Sequence, residues 1–284
     1  MTAVMSVKAG PRRAVPKSIG VSALWRHRQT LRVLVQRDLA VKYQKTVMGY
    51  LWSLIEPLGM AGIYWFIFGV LYGRSNIDGV SFALYVVSGM FAWMWASQAM
   101  NESTSSLVSQ TSLITTMRVP REVFPVARVF ARFAEFAAGI PIILMFAIVF
   151  HSTTTWGWNL LLLPVAIIIQ ATLLTGISFV LASLNVLYRD VQRLMRLVMR
   201  VLFYAAPTVY PFARVANSHM PHWAKLLYES NPFVGIIRMQ HGAWIPGEIP
   251  GWRPISYCAG VAVIVLFFGR WLFVRLEPAV LKEL

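Results

Sequence analysis

Thirty consecutive residues, 158–187, carry no Asp, Glu, Lys, Arg or His. A helix of that length and composition has nowhere to go in water, and about 20 apolar residues suffice to cross a bilayer. Residues 80–100 are equally free of charge. Four further stretches, 51–72, 126–150, 194–212 and 255–274, are apolar apart from charges near one end. Only 13% of the chain is charged and 57% is hydrophobic. A soluble domain carries about 25% charge, so the composition excludes an ordinary soluble fold, and its aromatic content excludes intrinsic disorder. The expectation is an all-α polytopic membrane protein with six transmembrane helices.

The net charge is +15. In a polar chain that would suggest nucleic acid; across a membrane the position of each cation matters more than the total. With the N-terminus placed inside, the inner segments hold 21 Lys and Arg and the outer segments hold five: Arg74, Arg214, Lys225, Arg238 and Arg253. This asymmetry predicts that both termini are cytoplasmic, in a multi-pass protein of a plasma membrane. No nucleic-acid partner is expected. The basic N-terminus lacks the apolar core and cleavage site of a secretory signal. Cys258 is the only cysteine, so no intrachain disulfide can form.

The remaining segments divide by pattern. Residues 1–21 contain two prolines and scattered charge and read as a mobile tail. Residues 22–50 read as a cytoplasmic interfacial segment, helical over 22–46, with Ser22 as a possible N-cap. Leu24, Leu31, Leu34, Val35 and Leu39 share one side of that helix, but Arg28 and Lys42 fall on the same side and spoil the stripe. Such a helix suits the inner leaflet; a solvated basic arm is the alternative. Residues 51–284 make up the six-span unit. Its long outer loop, 213–254, holds five prolines between apolar pieces too short to span. Re-entrant helices before the last span are expected there, with a structured surface loop as the alternative.

No Gly-rich phosphate loop, metal-ligand spacing or catalytic triad appears. The chain is therefore read as a non-enzyme. Carriers driven by ion gradients place acids deep in the bilayer. Here Glu56 lies one turn into the first stretch, and Glu135 lies near the inner end of the third, spaced to pair with Arg132. A separate ATPase is the more economical source of energy.

Residues 37–58 read RDLAVKYQKTVMGYLWSLIEPL, residues 112–125 SLITTMRVPREVFP, and residues 185–211 NVLYRDVQRLMRLVMRVLFYAAPTVYP; Asn231 and Pro232 follow. In this order these blocks resemble the type-2 ABC exporter permeases that move bacterial polysaccharides. The likeness is strongest to O-antigen, galactan and teichoic-acid exporters. It implies a homodimer in the inner membrane, two copies of a nucleotide-binding subunit that carry ATP and Mg, and a polyprenyl-linked glycan as substrate. No cofactor is expected on this chain itself. Export of a teichoic acid, a capsule, or a small drug or lipid are the alternatives.

The resemblance makes Ser112, Leu113, Ile114, Met117, Arg118, Pro120, Arg121 and Glu122 the expected docking segment for the ATPase. Arg26, Arg28 and Arg37 on the interfacial helix form a second contact. Arg189, Arg193, Arg196 and Arg200, spaced 4, 3 and 4, fall on one helix face. With Glu56 they are candidates for a substrate entrance that attracts a pyrophosphate headgroup; anchoring to inner-leaflet phosphates is the plainer reading. Trp65, Phe68, Tyr85, Trp93, Phe203 and Tyr210 are candidate channel aromatics, on faces that ordinary packing would also explain. Asn231, Pro232 and Phe233 are expected to open the gate segment.

Overall fold

The computed structural model describes residues 27–71, 73, 76, 77, 80–116, 119–149 and 157–283. The tail 1–21, Ser22, Arg26, Met117 and Arg118 lie outside the described residues. Helix α1 (Arg28–Tyr43) turns its Leu34, Asp38 and Tyr43 face inward. The chain then reverses through two left-handed residues, Lys45 (φ 63°) and Gly49 (φ 51°). Glycine adopts that conformation without steric cost, which gives the Gly-Tyr-Leu-Trp motif a physical reason: it turns the chain into the first long helix. That helix is continuous over Gly49–Leu71. Its regular part is α2 (Trp52–Tyr64), and its last turns, Trp65–Leu71, widen into a π-helix. A two-residue antiparallel pair, β1 (Asn76–Ile77) with β2 (Val80–Ser81), leads into α3 (Phe82–Thr104).

Helix α3 is the axis of the fold. It packs on α2, on α5 (Val123–Val149), on α6 (Leu162–Leu187), on α7 (Val191–Tyr204) and on α10 (Pro232–Trp244). Almost its whole length is buried. In lipid, apolar burial drives helix association only weakly, and close packing through small residues takes its place. Ala83, Ala92, Ala96 and Ala99 serve that end here. The closest approach in the fold joins α6 to α11 (Trp252–Glu283). A Cβ added to Gly269 would lie 2.1 Å from the Gly176 carbonyl oxygen, so the two backbones meet with no side chain between them.

Among the described residues, four helical segments are long and apolar enough to cross a membrane: Gly49–Leu71, Val123–Val149, Trp158–Leu187 and Trp252–Glu283. The chain is an all-α polytopic membrane protein. The stretch expected to run as a helix over 194–212 departs from that expectation. Helix α7 ends at Tyr204, only 14 residues long. Pro207 and Pro211 follow, and neither can continue a helix ladder. Beyond them come α8 (Phe212–Ala216), α9 (His222–Glu229) and α10. Short helices therefore occupy much of residues 213–254.

Candidate functional site

The segment expected to dock a partner begins with α4 (Thr111–Thr116), a helix of six residues. Ser112 is exposed, Leu113 is half-buried and Ile114 is buried. Exposed Val108 lies one turn before Ser112. The residues after α4 turn inward. Arg121 pairs with Glu277, and Glu122, 1% exposed, lies 3.2 Å from Arg270. Pro120 is buried beside them. Arg121 and Glu122, two of the residues expected in the docking segment, thus tie it to the C-terminal part of α11. The reason is electrostatic: a carboxylate as buried as Glu122 needs a cation, and the last helix supplies one.

A second charged cluster joins four helices. From α1 come Asp38, Lys42 and Tyr43; from α3, Gln98 and Glu102; from α5, Arg128, Arg132 and Glu135. Glu135 pairs with Arg132 one turn away and accepts from the Lys42 ammonium at 3.1 and 3.2 Å. The Tyr43 hydroxyl donates to it at 2.5 Å. Arg132 also lies 3.1 Å from Glu102, and Arg128 lies 3.3 Å from Asp38. Lys42 donates to Gln98 at 3.0 Å, and Gln98 donates to Glu56 of α2 at 3.4 Å. Burial raises the Asp38 carboxyl above its ordinary value, and Arg128, Arg37 and Arg132 oppose that rise. Burial and Glu135 together raise the Tyr43 phenol. Lys42 therefore breaks the apolar stripe of α1 for a reason: it is the cation for Glu135. Arg28 and Arg37 are exposed.

Arg189, Arg193, Arg196 and Arg200 are all exposed, and so is Glu56. The only ion pair among these arginines in the described residues is Arg193 with Asp190, 3.7 Å apart and open to solvent, which contributes little. Phe203, seven residues after Arg196, is buried where the arginines are exposed. It joins Met195 and Met199 on the buried side of α7.

The aromatic candidates separate by burial. Tyr85 is fully enclosed: its ring stacks on His241 at 3.8 Å, and its hydroxyl faces the Pro207 and Tyr210 carbonyls at 3.0 and 2.9 Å. Trp93, 4% exposed, meets Phe203 and Phe233 edge-on. Tyr85, Trp93 and Phe203 are buried in the hydrophobic core of this chain. Trp65 is exposed and Phe68 half-buried against Tyr64 and Phe82. Tyr210 borders a cavity of about 570 Å³ with Tyr204, Tyr228 and Asn231.

Asn231 explains why its dipeptide opens a helix. Its side-chain oxygen accepts from the Phe233 amide at 3.1 Å, which caps α10, and Pro232 occupies the first turn where its missing N–H costs nothing. Its amide nitrogen also donates to the Ala205 carbonyl at 3.1 Å, tying the start of α10 to the break after α7. Three residues that the sequence reading passed over complete this anchorage. Gln240 donates to Gln170 at 3.2 Å, and Gln170 donates to the Ala92 carbonyl at 3.0 Å. His241 places Nε2 3.1 Å from the Pro207 carbonyl and Nδ1 3.0 Å from the Ser88 hydroxyl. A carbonyl can only accept, so Nε2 carries the proton; the one hydrogen of the Ser88 hydroxyl is shared between Nδ1 and the Tyr85 carbonyl, each 3.0 Å away. Isolated polar residues inside apolar runs were the available signal. Among the described residues no His, Cys, Asp and Glu cluster could hold a metal.

The chain matches the family model described as ABC-2 type transporter over residues 29–241. It is 27% identical over 253 residues to the O-antigen export system permease protein RfbA of Myxococcus xanthus, an alignment covering 89% of this chain and 94% of the relative. An RfbA permease of Klebsiella pneumoniae is 30% identical over 249 residues, covering 87% and 92%. The polysialic acid transport protein KpsM of Escherichia coli is 23% identical over 257 residues, covering 89% and 96%. The match over three quarters of its length places the chain in the ABC-2 type transporter family, as a non-catalytic membrane permease subunit homologous to polysaccharide exporters.

Proposed function

We propose that two copies of this chain form the membrane channel of an ATP-driven exporter, each bearing a nucleotide-binding subunit on its cytoplasmic side. The cargo is a polyprenyl-linked polysaccharide of the O-antigen or galactan class, moved outward across a bacterial inner membrane. The 21-to-five distribution of cations supports cytoplasmic termini. Six crossings follow if α3 and α7 span as well. Helix α7 is about 21 Å long, short of the roughly 30 Å core, so the irregular residues 205–211 complete that crossing inside protein. Helices α8 to α10 then form the re-entrant gate, and α1 lies along the inner leaflet. The apolar face of α2, with Ile55, Ile63, Phe66 and Val70, is left open to lipid or to a second copy.

The observation that carries this reading is the bracing of α4. A push delivered to a six-residue helix is useful only if the helix cannot yield independently. The Arg121 and Glu122 ion pairs pass such a push to α11, and α11 passes it to α6 through the Gly269–Gly176 contact. The exposed arginines of α7, with Glu56, supply a cytoplasmic approach for the anionic headgroup. Trp65 and Phe68 offer ring faces to passing sugars, as do Tyr204 and Tyr210 around their cavity.

Docking through α4 is tested by the double substitution Val108→Asp with Ser112→Asp. Both side chains are exposed, so the fold tolerates the change. The ATPase subunit recovered with the permease is expected to fall at least tenfold while the amount of permease in the membrane is unchanged. Undiminished recovery would remove α4 as the docking element.

A further inference from the structure

Two of the five cations on the outer side, Arg238 of α10 and Arg253 of α11, line one cavity of about 410 Å³. That is notable where basic residues are scarce. Glu229 and Ser230 border the same cavity, and Tyr257 and Phe212 form part of its wall. Leu226, Val234, Pro254 and Cys258 supply an apolar lining. The volume is in the range of small-molecule sites, and the pattern of apolar walls with a few converging polar groups is what such sites show.

Arg238 is not committed to an ion pair as Arg121, Arg128, Arg132 and Arg270 are. Its guanidinium carbon lies 3.7 Å from the Phe212 ring centroid, its Nε is buried without a hydrogen-bond partner, and it makes no ion pair among the described residues. Glu248 and Glu229 act on it only through their field. Arg253 is exposed at the rim and lies 5.6 Å from the Trp252 ring. By contrast Lys225, on the same side, is satisfied by the Ala216 carbonyl at 2.7 Å. The cavity thus presents guanidinium donors with unspent hydrogen-bonding capacity, which suit a phosphate. Trp223 and Trp252, on the helices that carry Leu226 and Arg253, are 68% and 72% exposed, and such rings settle at the level of lipid headgroups.

We propose that this cavity binds the headgroup of a phosphoethanolamine lipid. The phosphate lies between Arg238 and Arg253, the ammonium faces Glu229, and the first part of the acyl chains follows the Leu226 and Val234 wall. Glu229 decides between phosphate sources: a carboxylate at the mouth repels a free or doubly charged phosphate and favours a headgroup that carries its own cation. From the export reading this takes only the side of the membrane. A lipid bound here would brace the gate helix α10 against the start of α11.

The test uses the full-length permease with its ATPase partner, purified in detergent. Native mass spectrometry measures the affinity of phosphatidylethanolamine, phosphatidylglycerol and a polyprenyl diphosphate. The unmodified protein is expected to bind phosphatidylethanolamine at least fivefold more tightly than either of the others. Arg253→Gln should weaken it at least fivefold, and Glu229→Gln should erase the preference over phosphatidylglycerol. Equal affinity for the three probes, tighter binding of the polyprenyl diphosphate, or no effect of Arg253→Gln would overturn the assignment. Binding is read on resting protein, so a negative result removes this site and leaves the export reading standing.

Discussion

Glu135→Ala is expected to lower the thermal unfolding midpoint of the purified protein by roughly 6–15 °C, on the scale of about 3–5 kcal/mol for removing one partner from a buried ion cluster. Glu135 is the acceptor shared by Arg132, Lys42 and Tyr43. Arg132 is 1% exposed and would keep only Glu102. The Tyr43 hydroxyl would lose its partner in a site that water does not reach. Glu135→Gln retains an acceptor oxygen and should cost distinctly less. Adding Lys42→Met to Glu135→Ala should recover part of the loss, because it withdraws one stranded cation. Tryptophan fluorescence during heating reads all three. A midpoint for Glu135→Ala within 1 °C of the parent would mean that the cluster does not hold α1 to the helix bundle.

Gly269→Ala should be as damaging, for a steric reason. The new Cβ would meet the Gly176 carbonyl oxygen at 2.1 Å and its carbon at 2.9 Å, and neither belongs to a side chain that can swing away. Overpacking of this kind usually costs about 1–3 kcal/mol, and backbone against backbone belongs at the upper end or beyond. Helices α6 and α11 would separate, and the protein accumulating in the membrane should fall severalfold. Gly260 lies on the same helix with nothing within 4 Å of its Cβ position. Gly260→Ala should therefore be neutral or slightly stabilising, since alanine is the better helix former by about 1 kcal/mol. Equal membrane levels for the two variants would show that the α6–α11 contact is dispensable.

The apolar runs were legible from composition alone. Residues 158–187 reappear as a short 3₁₀ turn leading into α6, and residues 126–150 fall on α5, because long charge-free stretches have one solution in lipid. The break after Tyr204 was also written in the chain, as Pro207 and Pro211, but average hydropathy does not register a proline. Arg132 with Glu135 could be read because the partners stand one turn apart. Lys42 with Glu135 could not, since 93 residues separate them; its trace was a lysine on the wrong side of a stripe. The same limit hid the pairing of Arg121 and Glu122, which look like free charges in a loop although Glu277 and Arg270 reach them from the far end of the sequence. Tyr85 and Trp93 show a different limit. Helical spacing places aromatics on a face but does not say whether that face meets a channel or another helix.

The central claim is that this polypeptide is a conduit moved by a motor it does not contain. Vesicles reconstituted with the permease and its ATPase subunit should translocate lipid-linked polysaccharide when ATP is supplied, and vesicles with the permease alone should translocate none. Passage of the glycan through vesicles that hold only this chain would contradict the account.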